Sequence, residues 1–387
     1  MRRKQTEAII KDLAKKMVFL VGPRQVGKTW LSKEISRNFR ATVYLNYDRL
    51  EDRRIIDETV WPLSTDLLVL DEIHKKPDWK NYLKGIYDTK SEGMSILVTG
   101  SARLDTFRQG GDSMAGRFFT HHLFPFSLSE LSTPIQGDMD KLIVRGGFPE
   151  PFLALDPLDC ARWRNQYLDG LIRTDILDFE NVHDFKAIQL VLELLRRRVG
   201  SPISYTSIAE DAHISPNTVK RYIEIFESLY IVFRITPFSK NIARSLQKEP
   251  KIYFYDNGLV VGEEGIIFEN FVAISLLKQT WAITDYQGQP TTLNYLRTQD
   301  GKEVDFCLVQ NDEPALMIEA KTSESKADRN LTYFNSRYGL PGIQLVRYLR
   351  QEWQKENVAV LLAEKFLANL DMYKPLTASI SEIFAIH

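Results

Sequence analysis

The sequence predicts an α/β chain of several domains, and three observations carry that reading. Short apolar runs alternate with helical stretches through about the first 130 residues, the pattern of a parallel sheet covered by helices on both faces. The middle of the chain is helical, and strands return after Ser239 around one long apolar helix. At 387 residues the chain is also too long for a single compact core, so about two to four domains are expected.

The elements follow in order. Residues 1–16 form an amphipathic helix. "MVFLVG" is a buried strand running into a glycine-rich loop, and "TWLSKEISRNF" is the helix after it. "TVYLNYD", "DLLVLDE" and "SILVTGSA" are three further strands, and "RFFTHHLFPFS" is a candidate fifth. From Glu130 to about Val182 the pattern is helical, interrupted by the turn-rich "RGGFPEPF". The stretch from Lys186 to Arg234 holds three helices and then a β-branched and aromatic run. Beyond it come the strands "KIYFYD", "TLNYLRT", "EVDFCLV", "ALMIEAK", "GIQLVRY" and "VAVLLA", with the helix "IIFENFVAISLLKQ" between the first two.

Composition excludes some classes. Net charge is −1, so no global field advertises nucleic acid or membrane, and any nucleic-acid site must be a local patch. The two cysteines, Cys160 and Cys307, fit neither a disulfide framework nor a zinc motif, which suits a reducing cytoplasm. No stretch approaches ~18 uninterrupted apolar residues, so no membrane-spanning helix is expected.

"GPRQVGKT", Gly22 to Thr29, matches G-x-x-x-x-G-K-[ST] in full, between an apolar strand and a helix. Gly22, Pro23, Arg24, Gln25, Val26 and Gly27 are expected to wrap phosphate oxygens in backbone N–H groups at a helix N-terminus. Lys28 is expected to reach the β and γ phosphates of ATP, and Thr29 to ligate Mg²⁺. Asp71, at the end of "LLVLDE", is the second candidate for holding Mg²⁺, and Glu72 is positioned to activate the attacking water. The order of loop, intervening strand and acidic pair resembles P-loop ATPases with an additional strand and a catalytic glutamate. His74 reads as an incidental surface residue. Ser101, after the next strand, is the candidate sensor of the γ-phosphate. Arg117, with Arg103 behind it, is the candidate arginine donated to a neighbouring subunit's site.

Taken in order, "GPRQVGKT", "LDEIHKKPDW", "VTGSARL", "AGRFFTHHLFPFSLSEL" and "RGGFPEPF" resemble a family of prokaryotic AAA+-type ATPases whose C-terminal domain is of unknown function. "FENFVAISLL" and "GKEVDF" extend the likeness over nearly the whole chain. The resemblance implies ATP binding and assembly into a homo-oligomer.

"SYTSIAEDAHISPNTVKRYIEIFESLYIVFRI" has helix–turn–helix grammar, with Asn217 as expected N-cap of the second helix and Ile223, Phe226 and Leu229 facing the core. Lys220 and Arg221 lie near the start of the helix that would enter a major groove, and "LYIVFRITPF" would be a wing. Residues 186–251 carry eleven Lys and Arg against six Asp and Glu, a local charge of +5. Two uses of a winged helix remain open: duplex DNA contact, or packing within the protein.

The last constellation is Asp305 in "EVDF" and Glu319 and Lys321 in "MIEAK". Glu319 and Lys321, two apart on a strand, share a face. A tight hairpin turning at "QNDEP" would set Asp305 beside Glu319, and Glu269 on the preceding helix adds a fourth group. An acid followed by acid-x-Lys on the next strand is the arrangement of a Mg²⁺-dependent nuclease site. The order helix, three strands, helix, strand is that of the PD-(D/E)xK nuclease-like α/β fold, which the family's C-terminal domain also resembles.

The expected organisation is a P-loop ATPase parallel sheet over 1–130, a helical lid over 131–184, a winged helix over 185–240, and the nuclease-like domain over 241–387. The expected function is Mg²⁺-dependent ATP hydrolysis on or near DNA, with no membrane partner. The alternative is a signalling or assembly ATPase whose C-terminal domain binds a protein without cutting.

Overall fold

The computed structural model describes residues 3–100, 114–131, 137–175, 184–239, 249–324 and 326–374. The chain divides into two compact units, Met1–Phe124 and Pro125–His387.

The first unit is built on five strands: β1 (Met17–Val21), β2 (Thr42–Asn46), β3 (Leu67–Asp71), β4 (Ser95–Thr99) and β5 (Phe118–His122). They are all parallel, in the order β2-β3-β4-β1-β5. The three central strands are buried at every residue, as continuous apolar runs in a two-sided parallel sheet require, whereas β2 and β5 at the edges are partly exposed. Helix α1 (Thr6–Leu13) precedes β1, α2 (Lys28–Ser36) follows it, and α3 (Leu50–Glu58) and α4 (Trp79–Thr89) flank β3 in sequence. One face packs Phe19, Val21, Leu68, Leu70, Ile96 and Val98 against Ile56 of α3 and Leu83 and Ile86 of α4. Each such side chain contributes roughly 1.5–3 kcal/mol relative to leaving it exposed. In space β4 lies between β1 and β3, so the glycine-rich loop and Asp71 emerge from strands two positions apart at the same, C-terminal, end of the parallel sheet.

The second unit begins with α5 (Asp138–Arg145), α6 (Pro149–Leu153) and α7 (Pro157–Gly170). Phe148, Trp163 and Tyr167 form their aromatic core, the last two stacked at 4.7 Å. Then come α8 (Phe185–Arg196), α9 (Tyr205–Ala212) and α10 (Pro216–Ser228). Ile223, Phe226 and Leu229 are buried, as their spacing predicts. The N-cap of α10 is Ser215 rather than Asn217: its hydroxyl accepts from the Thr218 N–H, and Pro216 fills the first helical position, where no N–H is needed. Strand β6 (Val232–Ile235) pairs antiparallel with β7 (Lys251–Phe254), so the expected boundary at 240/241 falls inside this pair.

Two buried links tie these pieces together. Arg164 of α7 forms an ion pair at 2.9 Å with Asp256, just after β7, and Asn257 Nδ2 donates to the Ile143 carbonyl of α5. Helix α11 (Glu264–Gln287) is long and apolar enough to cross a membrane by length and composition, but it is mostly buried as the central helix of this unit. Its Asn270 bonds both backbone groups of Phe254, and its Lys278 pairs with buried Glu130.

Strands β8 (Thr291–Arg297), β9 (Glu303–Gln310) and β10 (Glu313–Lys321) follow, then α12 (Arg329–Tyr338), β11 (Gly342–Val346), β12 (Trp353–Lys355), β13 (Val358–Leu362) and α13 (Ala363–Ala368). They make a mixed six-stranded sheet in the order β12-β13-β11-β10-β9-β8. The β9–β10 hairpin turns at Asn311 and Asp312, both at positive φ, the geometry that matches strand twist.

Candidate nucleotide site and a second acidic cluster

The Gly22–Thr29 loop leaves the buried end of β1 and enters α2. At Gly22 φ is +144°, and a Cβ there would lie 2.2 Å from the Leu123 carbonyl oxygen, so only glycine fits. Lys28 is buried, and its ammonium donates back to the carbonyls of Gly22 and Pro23 at 2.9 and 2.6 Å. Burial pushes its pKa down to about 8, against the pull of Glu72 and Asp71. Arg3 braces the loop from below, with Nη2 on the Val26 carbonyl at 2.7 Å and Nη1 on that of Phe124 at 3.1 Å. A single arginine distant in sequence gives no motif, so sequence reasoning missed it.

Asp71 sits at the centre of four neutral donors. Thr29 Oγ1 and Asn46 Nδ2 reach its Oδ2 at 3.2 and 3.4 Å, Tyr44 donates to the same oxygen, and Thr99 donates to Oδ1. Thr29 and Asp71 are therefore brought together across 42 residues. Burial, then the bond to Asp71, pushes the Tyr44 phenol well above its ordinary value. Tyr44, Asn46 and Thr99 were not singled out in sequence. Their signal was position alone: each lies in β2 or β4, at or near the end that meets Asp71.

Glu72 has a left-handed backbone (φ 57°). Burial raises its pKa. Its Oε2 is buried and accepts no hydrogen bond from the described residues, with Lys75 Nζ and His74 Nε2 each 3.6 Å away. The His74 side chain is 3% exposed, so it is not the surface residue expected: the turn after β3 folds it inward beside Glu72.

Arg117 precedes β5, at the end of the strands opposite the glycine-rich loop. Its guanidinium forks onto Asp88 at 2.9 and 3.0 Å, so it takes no part in this chain's own nucleotide site. Ser101 and Arg103 lie outside the described residues.

Residues 14–132 match a family model described as an AAA domain. The N-terminal unit is an AAA-type P-loop ATPase domain. Two further matches, over 136–266 and 264–365, are to domains of unknown function, DUF8612 and DUF4143. The uncharacterized protein Rv2008c of Mycobacterium tuberculosis is 26% identical over 347 residues, covering 86% of this chain and 75% of that protein. The uncharacterized protein MJ1544 of Methanocaldococcus jannaschii is 24% identical over 364 residues, covering 83% and 78%. Among solved structures, a Walker-type ATPase of Pyrococcus abyssi, PABY2304, aligns with 67% of this chain and 94% of its own, at 10% identity and TM-score 0.45. The RuvB Holliday junction branch migration motor of Thermotoga maritima aligns over 60% and 90%, at 16% identity and TM-score 0.28.

Beyond the ATPase domain, the second unit gathers the other predicted acids. The β8–β9 register shifts so that Asp305 and Phe306 both lie opposite Tyr295, a bulge that re-aims Asp305. Asp305 Oδ2 accepts from the Ala320 N–H, and Glu319 Oε2 from the Asp305 N–H, both at 3.1 Å. Lys321 donates to Glu319 Oε1 at 2.7 Å and lies 3.5 Å from Asp328. Glu269 accepts from the Tyr253 hydroxyl at 2.7 Å. It is covered by Gly200, where any Cβ would come within 2.7 Å of its carboxylate. Burial, then Asp305, raises both Glu269 and Glu319 to about 8.

The group missed in sequence is Lys251. It is 1% exposed, with Nζ 2.7 Å from Glu303, 3.5 Å from Asp305 and 3.7 Å from Glu269. Among the described residues no three His, Cys, Asp or Glu side chains are arranged to hold a metal ion. Lys220 and Arg221, the remaining candidates, lie exposed on α10, with Lys220 4.0 Å from Glu224.

Proposed function

We propose that this chain is a Mg²⁺-dependent ATPase acting on or near DNA. The observation that carries the ATPase chemistry is the charge state around Asp71. Among the described residues its carboxylate is hydrogen-bonded by hydroxyls and an amide alone, and Glu72 beside it keeps an oxygen that accepts no hydrogen bond. Adjacent acids, one buried and one half-buried, with no ammonium at hydrogen-bond distance among the described residues favour a cation. Thr29 and Asp71 are the residues to hold Mg²⁺, which supplies charge to the phosphates of ATP. Lys28 exchanges two loop carbonyls for β and γ phosphate oxygens. Glu72 orients the attacking water and draws on its proton.

The DNA half of the proposal rests on α9, α10 and the β6–β7 ribbon, read as a winged helix, and on the local charge of +5. Exposed Lys220 and Arg221 contact phosphates, and Arg117 acts in a homo-oligomer on a neighbouring copy's nucleotide. The decisive test is ATP turnover with and without duplex DNA. Stimulation at low salt that a Lys220→Ala/Arg221→Ala variant removes supports this reading; turnover indifferent to DNA at every salt concentration rejects it.

A second reading keeps the ATPase but makes the C-terminal domain a non-catalytic protein-binding module in signalling or assembly. Lys251, buried among the acids expected to hold Mg²⁺, favours it. A DNA cleavage assay in Mg²⁺ and in Mn²⁺ separates the two: cutting that Glu319→Ala abolishes rejects the second reading.

A further inference from the structure

The cluster around Asp305 is built as a cation site, and its occupant is part of the chain. Four carboxylates converge from three elements: Glu269 from α11, Glu303 and Asp305 from β9, and Glu319 from β10. Burying such a set together is costly unless a cation lies among them. The Lys251 ammonium lies there. It enters from β7, a strand that pairs with β6 and not with the six-stranded sheet. Its nearest contacts are Glu303 at 2.7 Å and Asp305 at 3.5 Å, and its ammonium also lies 5.4 Å from the centre of the Tyr295 ring.

Every oxygen of three of the four carboxylates already meets a protein donor. Both oxygens of Asp305 are engaged, one by Lys251 and one by the Ala320 N–H. Both oxygens of Glu319 are engaged, one by Lys321 and one by the Asp305 N–H. Glu303 divides its oxygens between Lys251 and Arg297, the latter at 3.5 Å. A divalent ion entering this cluster would compete with those donors for the same oxygens and would share a buried space with the Lys251 ammonium, which repels it.

We infer that Lys251 is a built-in replacement for a divalent cation, so that the cluster excludes Mg²⁺ and Mn²⁺ in the native chain and takes one up only when Lys251 is removed. This goes beyond the ATPase reading and does not depend on it. It explains why the acid-x-Lys pattern is present while its acids are not arranged as ligands.

The test uses the full chain carrying Asp71→Asn, so that a metal response cannot arise at the nucleotide site, and reads thermal unfolding against Mn²⁺ concentration. With Lys251 present, millimolar Mn²⁺ is expected to leave the midpoint unchanged. Lys251→Met, which keeps the aliphatic stem, is expected to lower the midpoint and to make it rise by several degrees with Mn²⁺. Adding Glu319→Gln to Lys251→Met is expected to remove that rise. A Mn²⁺ response with Lys251 in place that Glu319→Gln abolishes overturns the inference, and so does a folded Lys251→Met chain indifferent to Mn²⁺. The first of these comparisons leaves Lys251 untouched, so it decides even if Lys251→Met does not fold.

Discussion

Two of the places where acids gather near a lysine are solved in opposite ways. In the ATPase domain, Asp71 is surrounded by neutral donors while Lys28 bonds the carbonyls of its own loop. In the second unit, Asp305 and Glu319 are met by Lys251 and Lys321 directly. Among the described residues the first arrangement gives Asp71 no charged donor at hydrogen-bond distance and holds Lys28 on neutral carbonyls, the state that the proposed Mg²⁺–phosphate binding would use. The second is compensated internally and has little to offer a ligand. The same residue types therefore make a receptive site or a closed one, and the difference lies in who partners the carboxylate.

The comparison breaks most completely at the receptive site. Lys28→Ala is expected to abolish ATP binding, measured by titration with a fluorescent ATP analogue. Glu72→Gln is expected to retain binding and lose turnover by about 10²–10⁴-fold, the range for a positioned acid–base group. Normal turnover in Glu72→Gln would move the water-activating role elsewhere and leave the unbonded Glu72 oxygen without a use.

The neutral donors are the next lever. Tyr44→Phe removes one hydrogen bond from Asp71 while keeping the ring, and is expected to raise the Mg²⁺ concentration for half-maximal turnover by about tenfold, as loss of a ligand's supporting hydrogen bond does. Turnover at saturating Mg²⁺ should change little. A fall in saturated turnover with no change in Mg²⁺ requirement would make Tyr44 a packing residue instead.

These contrasts also show what could be read from sequence. The glycine-rich loop, its strand and helix, and the acidic strand end were legible because a phosphate loop needs specific residue types at fixed spacing, and apolar runs reveal buried parallel strands. The β9–β10 hairpin was legible from alternation and from the turn at Asn311–Asp312. Lys251 was not, because a lysine opening a strand reads as an edge charge, and its burial depends on Glu303, Asp305 and Glu269 arriving from later in the chain. Arg3, Tyr44 and the inward turn of His74 were hidden for the same reason: each is defined by a partner, not by a spacing. Asn217 was misread as a cap because the preceding Ser-Pro pair supplies cap and first turn together.

The smallest expected effect is on the pH dependence of stability, and it runs in opposite directions at the two sites. Glu269 is raised to about 8 from its ordinary 4.5, chiefly by burial. Between those values the folded chain holds a proton that the unfolded chain has released, so the unfolded state binds fewer protons and stability falls as pH rises across that window. Lys28 is lowered to about 8 from its ordinary 10.5, again by burial. Between about 8 and 10.5 the unfolded chain binds the extra proton, so this group adds stability as pH rises there. Glu269→Gln is therefore expected to make the decline below about pH 8 shallower, Glu319 supplying the remainder, and to leave the alkaline limb alone. Lys28→Met is expected to do the reverse. Urea unfolding of the nucleotide-free chain and both variants, from about pH 5 to pH 10, resolves the two windows. If Glu269→Gln leaves the slope below pH 8 unchanged, then Glu269 is ionised in the folded state throughout, and the internal compensation of the second cluster rests on Lys251 and Lys321 alone.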